Sequence, residues 1–185
     1  MRWNSKFFLN YALALVLTGI AWGIILQAGL PQRADYTGIT VEGLGYAAPE
    51  IGAFAPPIRA TLLDGTGFDS RAETGKWLIL NFWATWCIPC EVEMPVLDSL
   101  SQELNPEKVQ IIAINVAETD ALVRNWLNEH SLILPVALDP DLKITSSYQL
   151  RGQPTTFIIA PDGTISQIIF GPATETQLRA AINYP

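Results

Sequence analysis

The tightest constraint on this fold is an apolar run with three residues between it and a cysteine pair. Trp77 to Trp83 (WLILNFW) contains one polar residue, Asn81. A run of that length and density predicts a strand buried on both faces, and so a central one. Cys87-Ile88-Pro89-Cys90 follows at the predicted start of a helix that runs to about Leu104. The 185-residue chain is 49% hydrophobic and 16% charged, too apolar for a disordered protein. Its 13 Gly and 13 Pro carry no period, which excludes a collagen-like chain. Two cysteines are too few for a small core stapled by many disulfides.

The remaining pattern alternates. Arg59 to Leu63 reads as a short strand with a turn at Asp64-Gly65, and Val109 to Val116 as a second buried strand. Asp120 to His130 is helical, with Leu122, Trp126 and Leu127 at helical spacing. Leu134 to Leu138 reads as a short strand and Leu142 to Tyr148 as a short helix. Thr155 to Ile159 and Thr164 to Phe170 form a hairpin about Pro161-Asp162-Gly163, and Glu175 to Ile182 is a last helix. Strand–helix–strand order implies parallel neighbours and the hairpin an antiparallel edge. The expected fold is therefore α/β, a mixed central sheet with helices on both faces.

Phe7 to Leu30 has no charged side chain over 24 residues. A helix of that length crosses a hydrocarbon core of about 30 Å. Arg2 and Lys6 precede it, which places the N-terminus in the cytoplasm and the rest outside. The run exceeds the apolar region of a cleaved signal peptide, and Leu26-Gln27-Ala28 is a poor cleavage site, so an uncleaved anchor is expected. Residues 1–30 are thus read as cytoplasmic tip and transmembrane anchor. Residues 31–50, rich in Gly, Ala and Pro, are read as a linker, and 51–185 as one globular domain. All 18 acidic residues and nine of the eleven Lys and Arg follow Leu30, which leaves that part at −9. No basic run exists, so no nucleic-acid partner is expected, and the membrane link is the helix alone.

The cysteine pair has a use for each part of its context. Residues three apart in a helix can be bridged with little backbone motion. Pro89 is tolerated in the first turn. The helix N-terminus favours a thiolate, most of all at Cys87, so Cys87 is read as nucleophile and Cys90 as resolving thiol. A permanent structural disulfide would close only a short loop and stabilise little. A zinc site wants about four ligands, and the chain has two Cys and one His, so no metal site is expected. Copper delivery stays open, because two thiolates suit Cu(I). His130, which could add a ligand, is expected as a solvated side chain.

Glu93 falls on the helical arc of Val96, Leu97, Leu100 and Leu104, which must face the sheet. It is expected to be a buried acid beside the thiols, with a raised pKa, relaying a proton to or from Cys90. Glu91 falls on the opposite side, near Asp98 and Gln102, and is expected as an ordinary solvated carboxylate. Asn81, mid-strand, needs hydrogen-bond partners and cannot act as acid or base. Pro154 opens the later strand, where proline is allowed.

Phe82-Trp83-Ala84-Thr85-Trp86-Cys87-Ile88-Pro89-Cys90, then Glu93-Met94-Pro95, then Gly152-Gln153-Pro154-Thr155-Thr156-Phe157 resemble the thioredoxin superfamily. More narrowly, they resemble its membrane-anchored TlpA/ResA-type thiol–disulfide oxidoreductases. The likeness covers roughly Ile51 to Asn183. It includes the Leu44–Pro57 lead-in, the Asp64-Gly65 hairpin and the Asp120–Leu138 insertion that plain thioredoxin lacks. It implies a thioredoxin fold, Cys87 as exposed nucleophile and Cys90 as its partner. It also implies a cis Pro154 packed against the disulfide, and Trp86 and Gln153 as substrate contacts. Glu93 matches the family's buried acid, while Asn81 departs from the buried Asp of thioredoxin. The resemblance further implies protein disulfide substrates, apocytochrome c among them, an electron donor in the membrane, and no cofactor beyond the cysteine pair. Peroxiredoxin-like peroxide reduction is a rival. That site wants a proline and a threonine upstream of its cysteine; Thr85 is present, but Leu80 stands where the proline would be.

Overall fold

The computed structural model describes residues 15–20, 22, 39–41 and 45–182. Its centre is a five-stranded sheet in the order β7-β6-β5-β8-β9. These strands are β5 (Trp77–Trp83), β6 (Val109–Val116), β7 (Val136–Asp139), β8 (Thr155–Ile159) and β9 (Ile165–Phe170). β5 runs parallel to β6, and β6 to β7, while β8 is antiparallel to both β5 and β9. The WLILNFW run is the middle strand, and every residue in it after Trp77 is buried. That burial explains why it shows no alternation of apolar and polar residues.

Helices cover both faces, as the order of elements implied. On one face lie α1 (Ile88–Glu103), α2 (Asp120–Glu129) and α4 (Glu175–Ala181), which contribute Met94 and Leu97, Val123, and Leu178. On the other, α3 (Lys143–Ser147) and the following Tyr148 pack with Phe82 and Phe157. Ile58 and Phe68 close that side, carried by the hairpin of β3 (Arg59–Thr61) and β4 (Gly67–Asp69). The hairpin turn sits at Asp64-Gly65, where Gly65 takes φ +90°, a region open to glycine at little cost.

The domain starts earlier than expected. Within the stretch read as a linker, β1 (Ile39–Val41) pairs with β2 (Gly45–Ala47), and Ala47 and Ala48 are buried. Ala47 bridges Phe54, which in turn bridges Thr164 beside β9, so the lead-in is tied to the domain by backbone pairing. Small residues with no apolar period hid this. Of the apolar run Phe7–Leu30, only residues 15–20 and 22 are described; they are helical and exposed, and the rest lies outside the described residues. Among the described residues, no helix is long and apolar enough to cross a membrane.

Candidate active site

β5 delivers the chain to one end of the sheet, and Ala84 to Cys87 turn it into α1. The Cys87 N–H donates to the Ala84 carbonyl at 3.1 Å, and Cys87 itself is the N-cap of α1. Its own side chain makes no capping bond, because its sulfur is bonded to Cys90 at 2.03 Å, with 5.2 Å between the Cα atoms. Pro89 in the first turn costs no intrahelical bond, since those N–H groups have no partner in any helix. Cys87 is 5% exposed and Cys90 1%, so the order of access is as expected, but in the oxidised state even Cys87 is largely covered. Both cysteines belong to the buried apolar cluster on the α1 face of the sheet. Trp86, 70% exposed, stands in solvent beside it, with Ile88 and Val92 also exposed along the first turns of α1. The Gln153–Pro154 bond is cis, as the resemblance implies, and Pro154 is buried while Gln153 is half-buried.

Glu93 is buried, on the arc that faces the sheet. Its Oε1 accepts from the Thr156 hydroxyl at 3.0 Å, and that hydroxyl in turn accepts from Asn81 Nδ2 at 2.9 Å. The direction of this chain matters. The Asn81 amide occupies a lone pair of Thr156 Oγ, so the hydroxyl proton goes to Glu93 Oε1. Oε2 has no hydrogen-bond partner among the described residues. Desolvation pushes the Glu93 carboxyl above its ordinary value near 4.5. Smaller opposing pulls come from the nearby Ala173 N–H and from the Thr156 and Asn81 side chains.

Glu91 is exposed, as expected. Asp98, placed near it by helical rotation, is buried, and its Oδ1 accepts from the N–H groups of Ile133 and Leu134 at 2.7 and 2.8 Å. The segment after α2 folds back over that side of α1 and brings two unpaired donors to it. His130 is not simply solvated. It stacks on Trp126 with centroids 3.9 Å apart, and its Nε2 lies 3.5 Å from Glu91 Oε1. Trp126 packs on Trp83, so aromatic contacts join His130 to the apolar cluster that also holds both cysteines.

Sequence reasoning missed Glu118. It follows β6 in what reads as a polar loop, yet it is buried and accepts three hydrogen bonds. Thr85 Oγ1 donates to Oε1 at 2.5 Å, while the Thr85 N–H and Asn115 Nδ2 donate to Oε2 at 2.8 and 2.7 Å. A signal was present: the C-terminal ends of adjacent parallel strands meet at one edge of a sheet, so residues just after β5 and β6 become neighbours.

A disulfide set at a helix tip, off the end of the central strand, can open without disturbing the sheet. This is the working centre of thioredoxin-fold proteins that trade thiols for disulfides. Comparison with known proteins narrows the class. The AhpC/TSA family matches residues 51–168. The chain is 40% identical over 129 residues to thiol-disulfide oxidoreductase ResA of Bacillus thuringiensis (strain Al Hakam), covering 70% of this chain and 75% of that one. It is 34% identical over 162 residues to ResA of Geobacillus kaustophilus (strain HTA426), covering 82% and 93%. A solved thiol:disulfide interchange protein of the thioredoxin family from Chlorobium tepidum TLS superposes with a TM-score of 0.62 at 30% identity, covering 70% and 93%. The chain belongs to the AhpC/TSA family and is a thiol–disulfide oxidoreductase of the ResA type.

Proposed function

We propose that this enzyme reduces protein disulfides outside the membrane, apocytochrome c cysteines being one substrate class, while its N-terminal helix holds it to the bilayer. The observation that carries the reading is the Cys87–Cys90 bond at the tip of α1, with Cys87 the less covered sulfur. In the reduced enzyme the Cys87 thiolate attacks a substrate sulfur. A Cys87–substrate bond forms, the substrate S–S bond breaks, and the departing thiolate takes up a proton. Cys90 then gives up its proton and attacks Cys87, restoring the bond and releasing the second substrate thiol. Two electrons pass from enzyme to substrate, and an electron donor in the membrane returns them.

Glu93 is the base for the Cys90 proton, through Oε2, which has no hydrogen-bond partner among the described residues. Exposed Trp86, and the Gln153 and Pro154 backbone at the start of β8, receive the substrate strand. The cysteine pair serves as the whole redox apparatus, with no added cofactor. The Ile88-Pro89 pair offers no basic side chain to stabilise a thiolate strongly, which favours a reductant. Anchoring is supported by the uncharged run Phe7–Leu30 and by the exposed helical Leu15, Val16, Leu17 and Ile20 within it.

The test is a Cys90→Ser variant mixed with an unstructured peptide holding a Cys-x-x-Cys disulfide. The expected product is a stable mixed disulfide mapped to Cys87 by mass spectrometry. No adduct at Cys87 would overturn the mechanism. A reduction potential near that of the strong oxidant DsbA, about −120 mV, would overturn the direction.

A further inference from the structure

Among the described residues, Glu118 is the one buried charged side chain that binds the turn leading into Cys87, and the exchange mechanism gives it no task. We infer that Glu118 is a positioning residue, whose carboxylate clamps Thr85 and so aims Trp86 and Cys87 at a docked substrate disulfide. The inference rests on Cys87 being the nucleophile.

Three observations support it. First, the clamp is complete: the three donors named above reach both carboxylate oxygens, and two of them come from Thr85. Charge-assisted bonds of this kind are roughly twice as strong as neutral ones. Second, the anchor end is rigid. Asn115 is fully buried in β6 and lies in register opposite Trp83, the last residue of β5. Glu118 therefore ties the turn at Thr85 to the sheet's centre. Third, the backbone is bent to allow this. Ala117 sits at φ 63°, in the left-handed region that a residue with a Cβ rarely adopts. Its N–H donates to the Asp139 carbonyl at 3.2 Å, which holds the chain end beside β7. A left-handed non-glycine residue that aims a buried acid at the approach to a nucleophile is strain retained at a working site.

Thr85 is two residues from Cys87, so its Cα lies within about 7 Å of the nucleophile's Cα. Freedom at Thr85 becomes freedom in the line of attack. Misplacement by about 1 Å can cost as much as about a hundredfold in rate. A small reagent that needs no docking is insensitive to this aim, whereas an extended peptide held at Pro154 is not.

The experiment uses the reduced full-length protein and three variants, Glu118→Ala, Glu118→Gln and Thr85→Val. Two rates are measured for each: reduction of the Cys-x-x-Cys peptide disulfide, and alkylation of Cys87 by iodoacetamide. Circular dichroism fixes the folded fraction. For Glu118→Ala, peptide reduction per folded molecule is expected to fall about tenfold or more, with alkylation within about twofold of the parent. Glu118→Gln is expected to stay within about threefold. Its carbonyl can accept from the Thr85 N–H and Asn115, and its amide can donate to the Thr85 hydroxyl. Thr85→Val, which keeps the N–H bond and loses the hydroxyl, is expected to fall between.

Peptide reduction at the parental rate in Glu118→Ala would overturn the inference, as would an equal fall in both rates. If Glu118→Ala does not fold, parental peptide reduction by Thr85→Val overturns it in its place. Failure of the nucleophile assignment is distinct: Cys87→Ser would then keep its activity, whatever residue 118 does.

Discussion

The two faces of the central sheet are built from the same strands and are chemically unlike. On the face away from α1, Phe82, Tyr148 and Phe157 form an aromatic cluster with centroids 4.8 to 5.6 Å apart. Its deepest polar atom, the Tyr148 hydroxyl, donates to the Pro56 carbonyl at 2.8 Å. On the α1 face, β5 presents Ile79, Asn81 and Trp83, and β6 presents Asn115. All four buried side-chain atoms without a partner among the described residues, Asn81 Oδ1, Trp83 Nε1, Glu93 Oε2 and Asn115 Oδ1, belong to residues of that face. Buried polar groups that lack partners cost stability. One face is optimised for packing, while the other tolerates unsatisfied groups where sulfur and protons must move.

The largest expected break in this contrast is Phe82→Ala. It should destabilise the fold by about 3–5 kcal/mol, the usual cost of emptying a buried phenyl site. The Cys87–Cys90 redox equilibrium in glutathione should stay unchanged in the folded protein. A shifted equilibrium would mean that the two faces are not separable.

Thr156→Val should cost less, about 1–3 kcal/mol in denaturant unfolding, because Asn81 Nδ2 is left without an acceptor. Unlike Phe82→Ala, it should slow exchange, since Glu93 loses the contact that orients it. Normal exchange in this variant would remove the Asn81–Thr156–Glu93 chain from the mechanism.

The smallest change in stability is expected of Glu93→Gln, and it depends on pH. Burial raises the Glu93 carboxyl in the folded state, so the folded protein holds this proton more tightly than the unfolded chain. The resulting stability is fully present below the ordinary value near 4.5 and is lost as pH rises through the raised folded value. Thermal unfolding should therefore show Glu93→Gln gaining on the parent as pH climbs, with no difference left near pH 4. A gain that instead grows toward acid would contradict the buried-acid assignment.

Much of this contrast was legible in the residues. The dense run at Trp77–Trp83 and its partner at Val109–Val116 could only be interior strands, and both are found at those bounds. Rotation about α1 placed Glu93 inside because its neighbours on the arc are Leu97 and Leu100, both buried. The same rotation failed for Asp98, since a helical wheel knows nothing of the segment at Ile133 and Leu134 that later covers it. Glu118 was missed for a similar reason, although the pairing of parallel strands gave a signal for it. Two of its three donors come from Thr85, 33 residues earlier, and meet it only once β5 and β6 lie side by side. The resemblance implies an exposed Cys87, yet in the disulfide form it is only 5% exposed and belongs to the buried apolar cluster.

The account depends most on a sulfur–sulfur bond that opens and closes while the rest of the protein stays folded. The direct test is to equilibrate the full chain in glutathione buffers across a range of potentials and count free thiols by alkylation and mass. The account predicts a single, reversible two-electron transition confined to Cys87 and Cys90, with the far-UV spectrum unchanged through it. A bond that stays closed until the protein unfolds would contradict it.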